Sequence, residues 1–149
     1  MPESKHKLKI LFLCTGNSCR SQMAEGWARF IIGEIIEPFS AGIEAHGINP
    51  FAVKVMAEAS VDISHQRSKL VEEVMDTKFD CVITLCDHAN ENCPIFPDKV
   101  RRIHRGFKDP VRLAEQAVSV EDKLKLYRQV RDEIKNFVEK IPDIVTSFL

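Results

Sequence analysis

Long hydrophobic runs are missing from this chain. No apolar stretch approaches the ~20 residues that a membrane-spanning helix needs. The charged first residues also lack the apolar core of a secretory signal, so a cytoplasmic protein is expected. Charge of one sign is missing too. Lys plus Arg number 21 and Asp plus Glu 22, and a formal net charge of −1 gives no electrostatic case for nucleic acid or a membrane surface. Internal repeats, low-complexity tracts and interdomain linkers are absent. What remains is 149 residues with 44% hydrophobic content, enough for one core and hence one domain. Met1 to His6 reads as a flexible lead and residues 7–149 as that domain. Five cysteines, at positions 14, 19, 81, 86 and 93, point in such a chain to reactive thiols or metal rather than a structural disulfide framework.

The chain is organised around Cys14-Thr15-Gly16-Asn17-Ser18-Cys19-Arg20-Ser21. Before it, Leu8 to Leu13 is an apolar run fit for a buried strand. After it, Met23, Trp27, Phe30 and Ile31 recur at helical spacing, and Gly33 is the expected stop. A polar loop that leaves a strand and opens a helix aims backbone amides and the positive end of the helix dipole at its own centre. Gly16 would give the backbone freedom, and small side chains at Thr15 and Ser18 would let the amides close on a tetrahedral oxyanion. Arg20 adds a planar clamp that Lys would not match. The same field favours a thiolate at Cys14, where an unperturbed thiol near pKa ~8.5 is mostly protonated at neutral pH. The loop lacks the second Gly and the Gly-Lys-Ser/Thr ending of a Walker A sequence. Cys-x5-Arg-Ser in this setting resembles the phosphate-binding loop of the low-molecular-weight protein tyrosine phosphatases, with residues 14 to 21 as the oxyanion-binding set.

Further along, Ile36 to Ser40 reads as a second strand, and Ala41 to Gly47 as a loop. Asn49-Pro50 opens a helix with Val53, Met56 and Ala59 on one face. Ser68 would cap a short helix carrying Leu70, Val71 and Val74. Phe79 to Leu85 is the best internal strand, and Val100 to His104 is a shorter, basic strand suited to an edge. Ser119 to Ile141 is the longest helical pattern, with Tyr127, Val130, Ile134, Val138 and Ile141 inward and Pro142 as its end. Strands alternating with helices predict an α/β fold, a single-domain three-layer sandwich with a four-stranded, mainly parallel sheet and helices on both faces. Ligands of such sheets bind at the carboxyl ends of the strands, where Cys14 lies.

Cys86 follows the internal strand and therefore emerges at that same edge, with Cys93-Pro94 a little further on. Two cysteines beside a nucleophilic one suggest a thiol relay. Core packing explains Cys81, inside its apolar strand, but not a pair flanking Asp87-His88-Ala89-Asn90-Glu91-Asn92. Zinc calls for paired Cys-x2–4-Cys spacing, which Cys86-x-His88 plus Cys93 does not supply.

With Thr84-Leu85-Cys86-Asp87 and Asn92-Cys93-Pro94 added, the chain resembles the thioredoxin-coupled arsenate reductases built on the phosphatase fold. Further matches are Ser40 to Gly47 with Asn49-Pro50, Asp62-Ile63-Ser64, His104 with Gly106 to Pro110, and Arg128 to Ile134. The resemblance implies that Cys14 attacks arsenate with Asp109 as general acid. Cys86 then releases arsenite as a Cys14–Cys86 disulfide forms, and Cys93 takes over Cys86. Thioredoxin reduces the Cys86–Cys93 pair. A monomer with no bound cofactor is expected, with phosphate and sulfate as competing or structural oxyanions.

The chain departs from the family in places. Relatives that bind potassium beside the loop use residues matching Asn17, Glu25 and Ser40 plus an Asp, where this chain has Lys69. An ammonium there would replace the ion, so no metal site is expected. Arg105 and Lys108 make the rim near Asp109 more cationic, and Cys19 reads as structural or protective. Two alternatives use the same loop: a tyrosine phosphatase, which leaves Cys86 and Cys93 without work, and a non-catalytic redox sensor, which needs no Asp109. A helix from Cys86 to Cys93 would span about 10.5 Å. A disulfide requires Cα atoms roughly 4.4–6.8 Å apart, so the segment is expected to be a short helix or turn when reduced and looped out when oxidised.

Overall fold

Four consecutive residues of the first strand, Ile10, Leu11, Phe12 and Leu13, are completely buried. Side chains alternate faces along a strand, so both faces of the sheet are covered at this point. Burying each such side chain stabilises the fold by about 1.5–3 kcal/mol relative to exposure. The computed structural model describes residues 7–97 and 99–147. Met1 to His6, expected to be a flexible lead, lies outside the described residues.

The sheet is four-stranded and wholly parallel. Its strands are β1 (Leu8–Cys14), β2 (Ile36–Gly42), β3 (Cys81–Thr84) and β4 (Arg101–His104), in the order β2-β1-β3-β4. Parallel neighbours require crossovers: α1 (Arg20–Ile32) leads from β1 to β2, α2 (Pro50–Glu58) and a 3-10 turn (Val71–Val74) lead from β2 to β3, and α3 (Asp87–Glu91) leads from β3 to β4, while α4 (Pro110–Ala114) and α5 (Val120–Thr146) follow the last strand. Helix α5 buries Tyr127, Val130, Ile134, Val138 and Ile141 as the spacing requires. It is joined to α1 by the Trp27 indole N–H, which donates to the Arg131 carbonyl at 3.1 Å. β4 is an edge strand with Arg101, Arg102 and His104 exposed.

Several local expectations are corrected. Pro142 does not end α5, which runs to Thr146 with Pro142 inside it. Proline removes the amide that would donate to the Val138 carbonyl. Ile141 and Val145 are nonetheless buried and hold the last turn on the core. The buried face of α2 is Ala52, Val55 and Met56 rather than Val53, Met56 and Ala59, the middle residue alone being shared. Ser68 does not cap the short 3-10 turn. Glu73 does so by accepting from the Leu70 amide at 2.9 Å, while the Ser68 hydroxyl accepts from the Gly47 amide. Phe30 follows the helical spacing of α1 yet is 62% exposed.

Candidate active site

Cys14 is the last residue of β1, and its loop closes on α1 without any side-chain cap at Cys19. The first amides of a helix lack intrahelical acceptors, so here they are left to the loop interior. The left-handed residue is not Gly16 but Asn17, at φ 48°, a conformation that asparagine tolerates better than most residues. Asn17 is fully buried and tied on every side. Its carboxamide oxygen accepts from Gln22 and from the Lys69 amide, and its nitrogen donates to the Ser21 hydroxyl at 2.7 Å. The Ser21 hydroxyl in turn lies within hydrogen-bond distance of the Cys14 sulfur, 2.8 Å away. Gly16 is required for close approach instead. A Cβ there would come within 2.5 Å of the His46 ring, and one at Gly42 within 2.7 Å of the Asn17 amide nitrogen.

Arg20, at the start of α1, turns toward the segment after β4. Its guanidinium donates to the Phe107 carbonyl at 3.0 Å and lies 3.8 Å from the Asp109 carboxylate. Asp109 caps α4 by accepting from the Val111 amide at 3.0 Å, with Pro110 as the first helical residue. The cleft over Cys14, about 320 Å³, is lined by Cys14, Arg20, Asp109 and His46 among others. A larger cleft of about 810 Å³ carries Cys86, and the two share Thr15, Arg20 and Asp109.

β1 and β3 are neighbours, with Leu13 opposite Thr84, so the residues just beyond them meet at one edge of the sheet. The Thr15 hydroxyl lies 3.3 Å from the Cys86 thiol. Cys86 occupies the N-cap position of α3, and its sulfur accepts from the Ala89 amide at 3.4 Å. Cys93, half-buried, follows the helix at its other end, and all five thiols are free. The segment between the two cysteines is thus a short helix, as expected for the reduced protein. Burial pushes the Cys19 thiol up to about 12, helped by the charges of Asp109 and Cys14. Burial also takes Cys81 to about 12. Both stay protonated at neutral pH.

Beside the loop, Glu25 is buried, accepts from Ser40 at 2.5 Å and from Arg29 at 2.7 Å, and faces the Lys69 ammonium at 4.0 Å. The ammonium also donates to the Arg67 carbonyl at 2.9 Å. A positive charge therefore already stands where a cation would meet Glu25, and these residues do not fit a metal ion. Among the described residues no cluster of three His, Cys, Asp or Glu is placed to hold one either. No described helix is long and apolar enough to cross a membrane.

Sequence reasoning placed His46 and His104 within matches to the family but gave neither a role. His104 bridges the two sides of Cys86, with Nδ1 2.8 Å from the Thr84 hydroxyl and Nε2 3.0 Å from the Asp87 carboxylate. A carboxylate only accepts, so Nε2 carries the proton. A histidine at the carboxyl end of a strand, beside the strand that delivers Cys86, was the available signal.

An arsenate reductase of Halalkalibacterium halodurans is 49% identical over 138 residues, covering 90% of this chain and 97% of that protein. A solved arsenate reductase in the phosphate binding state superposes with a TM-score of 0.66 at 32% identity, over 90% of this chain and 95% of the other. Another, in the oxidized state, gives 0.72 at 30% identity over 95% and 98%. Residues 9–147 match the low molecular weight phosphotyrosine protein phosphatase family. With that match spanning nearly all of the chain, on a four-stranded parallel sheet, the protein belongs to this family.

Proposed function

We propose that the protein reduces arsenate to arsenite through Cys14, Cys86 and Cys93 and is regenerated by thioredoxin. The observation that carries this reading is the Cys86 thiol beside Thr15, at the mouth of the loop that holds Cys14. A phosphatase has no use for a second thiol there. The similarity to named arsenate reductases supports the same reading.

Arsenate would sit among the loop amides with Arg20 across its oxygens. The Cys14 thiolate attacks arsenic, and the displaced oxygen leaves as water or hydroxide with a proton from Asp109. Cys86 then attacks the Cys14 sulfur. That bond takes two electrons from the thiols, and arsenic(V) departs as arsenite. Cys93 exchanges onto Cys86, freeing Cys14 as a thiolate, and thioredoxin reduces the Cys86–Cys93 disulfide. A thiolate only accepts, so each time Cys14 carries charge the Ser21 hydroxyl 2.8 Å away donates to it and stabilises it.

Cys14, Arg20 and Asp109 alone suffice for hydrolysis of a phosphate ester, so weak phosphatase activity belongs to the proposal. The test is arsenate-dependent NADPH oxidation in the presence of thioredoxin and thioredoxin reductase, run beside p-nitrophenyl phosphate hydrolysis. Ester hydrolysis without arsenate-dependent oxidation would replace this reading with the phosphatase one.

A further inference from the structure

β4 touches α3 through a contact that the chemistry above leaves unused. The Arg102 guanidinium donates to the Asn90 carbonyl at 3.3 Å. In a continuing helix that carbonyl would accept from the residue four positions on, which is Pro94 and has no N–H. The carbonyl is therefore orphaned by the sequence itself, and Arg102 is the group that satisfies it. The contact brings a permanent cation from the edge strand to the end of α3, immediately before Cys93.

Cys93 needs such a cation. It is half-buried, and burial pushes its thiol above the ordinary range. The charge working in the opposite direction is Arg102. The other ionisable groups of the neighbouring helix, Asp87, His88 and Glu91, are exposed, and Asp87 is engaged by His104. We infer that Arg102 is a positioning residue for Cys93, held by the Asn90 carbonyl where its charge stabilises the attacking Cys93 thiolate. The inference rests on the relay proposed above. In that step the Cys93 thiol gives its proton to solvent, its sulfur bonds to Cys86, the Cys14–Cys86 bond breaks, and Cys14 leaves as a thiolate with no net oxidation.

The experiment follows alkylation of each cysteine by iodoacetamide in the intact reduced chain, by peptide mass mapping across pH. The readout is the midpoint of the Cys93 profile, because a change in accessibility scales the rate at every pH alike. Arg102→Gln is expected to raise the midpoint by about half to one pH unit, leaving about three- to tenfold less thiolate at neutral pH. Arg102→Lys should restore most of it. Added salt should raise the midpoint in the native chain and not in Arg102→Gln. An unmoved midpoint in Arg102→Gln, or in the native chain across salt concentrations, overturns the inference. The readout needs no arsenate, so failure of the relay itself, seen as no Cys86–Cys93 disulfide after turnover, is a separate result.

Discussion

The Thr15 hydroxyl and the Cys86 thiol lie 3.3 Å apart although 71 positions separate them in the chain. Parallel pairing of β1 with β3 brings them together, because it delivers the end of each strand to the same edge. One thiol therefore stands at the mouth of the loop that starts with another.

Asp109 both caps α4 and faces Arg20, and the two roles separate by substitution. Asp109→Asn keeps an oxygen for the Val111 amide but carries no acidic proton. Its kcat for arsenate reduction and for p-nitrophenyl phosphate is expected to fall about 10²- to 10⁴-fold with an unchanged melting temperature. Asp109→Ala should lose the same activity and also some stability, by about 0.5–2 kcal/mol. Near-native turnover in Asp109→Asn would move the general acid elsewhere.

Potassium is expected to leave both melting temperature and rate unchanged relative to sodium at equal ionic strength, because the Lys69 ammonium already faces Glu25. Lys69→Asp should create a potassium-specific rise in melting temperature. Burial lowers the Lys69 pKa from 10.5, so the folded chain releases this proton before the unfolded chain does. Stability from this group therefore rises as pH climbs through the folded value and levels off above 10.5. A melting shift of the native chain specific to potassium would contradict this placement of Lys69.

Much of this was legible in the sequence. β1 and α5 carry long apolar patterns, and the loop from Cys14 to Ser21 is contiguous, so nearest-neighbour chemistry describes it. What escaped depends on distant residues. Pro142 stays inside α5 because Ile141 and Val145 are buried, a tertiary gain that outweighs a lost hydrogen bond. The left-handed Asn17 is held by the neighbouring Gln22 and also by the Lys69 amide, 52 positions away. The bridge from Thr84 through His104 to Asp87 exists only after β3 and β4 pair.

Helix α3 has five residues, of which Asp87, His88 and Asn90 are mediocre helix formers, and it stands between Cys86 and Cys93. Their disulfide requires Cα atoms roughly 4.4–6.8 Å apart, whereas seven helical steps from Cys86 to Cys93 would span about 10.5 Å. Amide hydrogen exchange is expected to speed up over residues 86–94 on oxidation while β1 and the Cys14 loop keep their protection. Equal protection of that segment in both redox forms would show that the disulfide forms without melting the helix.

The relay itself is tested most directly by Cys93→Ser under single turnover, with arsenite counted and disulfides mapped by mass spectrometry. The account predicts about one arsenite per enzyme, a trapped Cys14–Cys86 disulfide and no further turnover with thioredoxin, whereas Cys86→Ser releases none. Sustained arsenate reduction by Cys93→Ser, or a stoichiometric burst from Cys86→Ser, would contradict it.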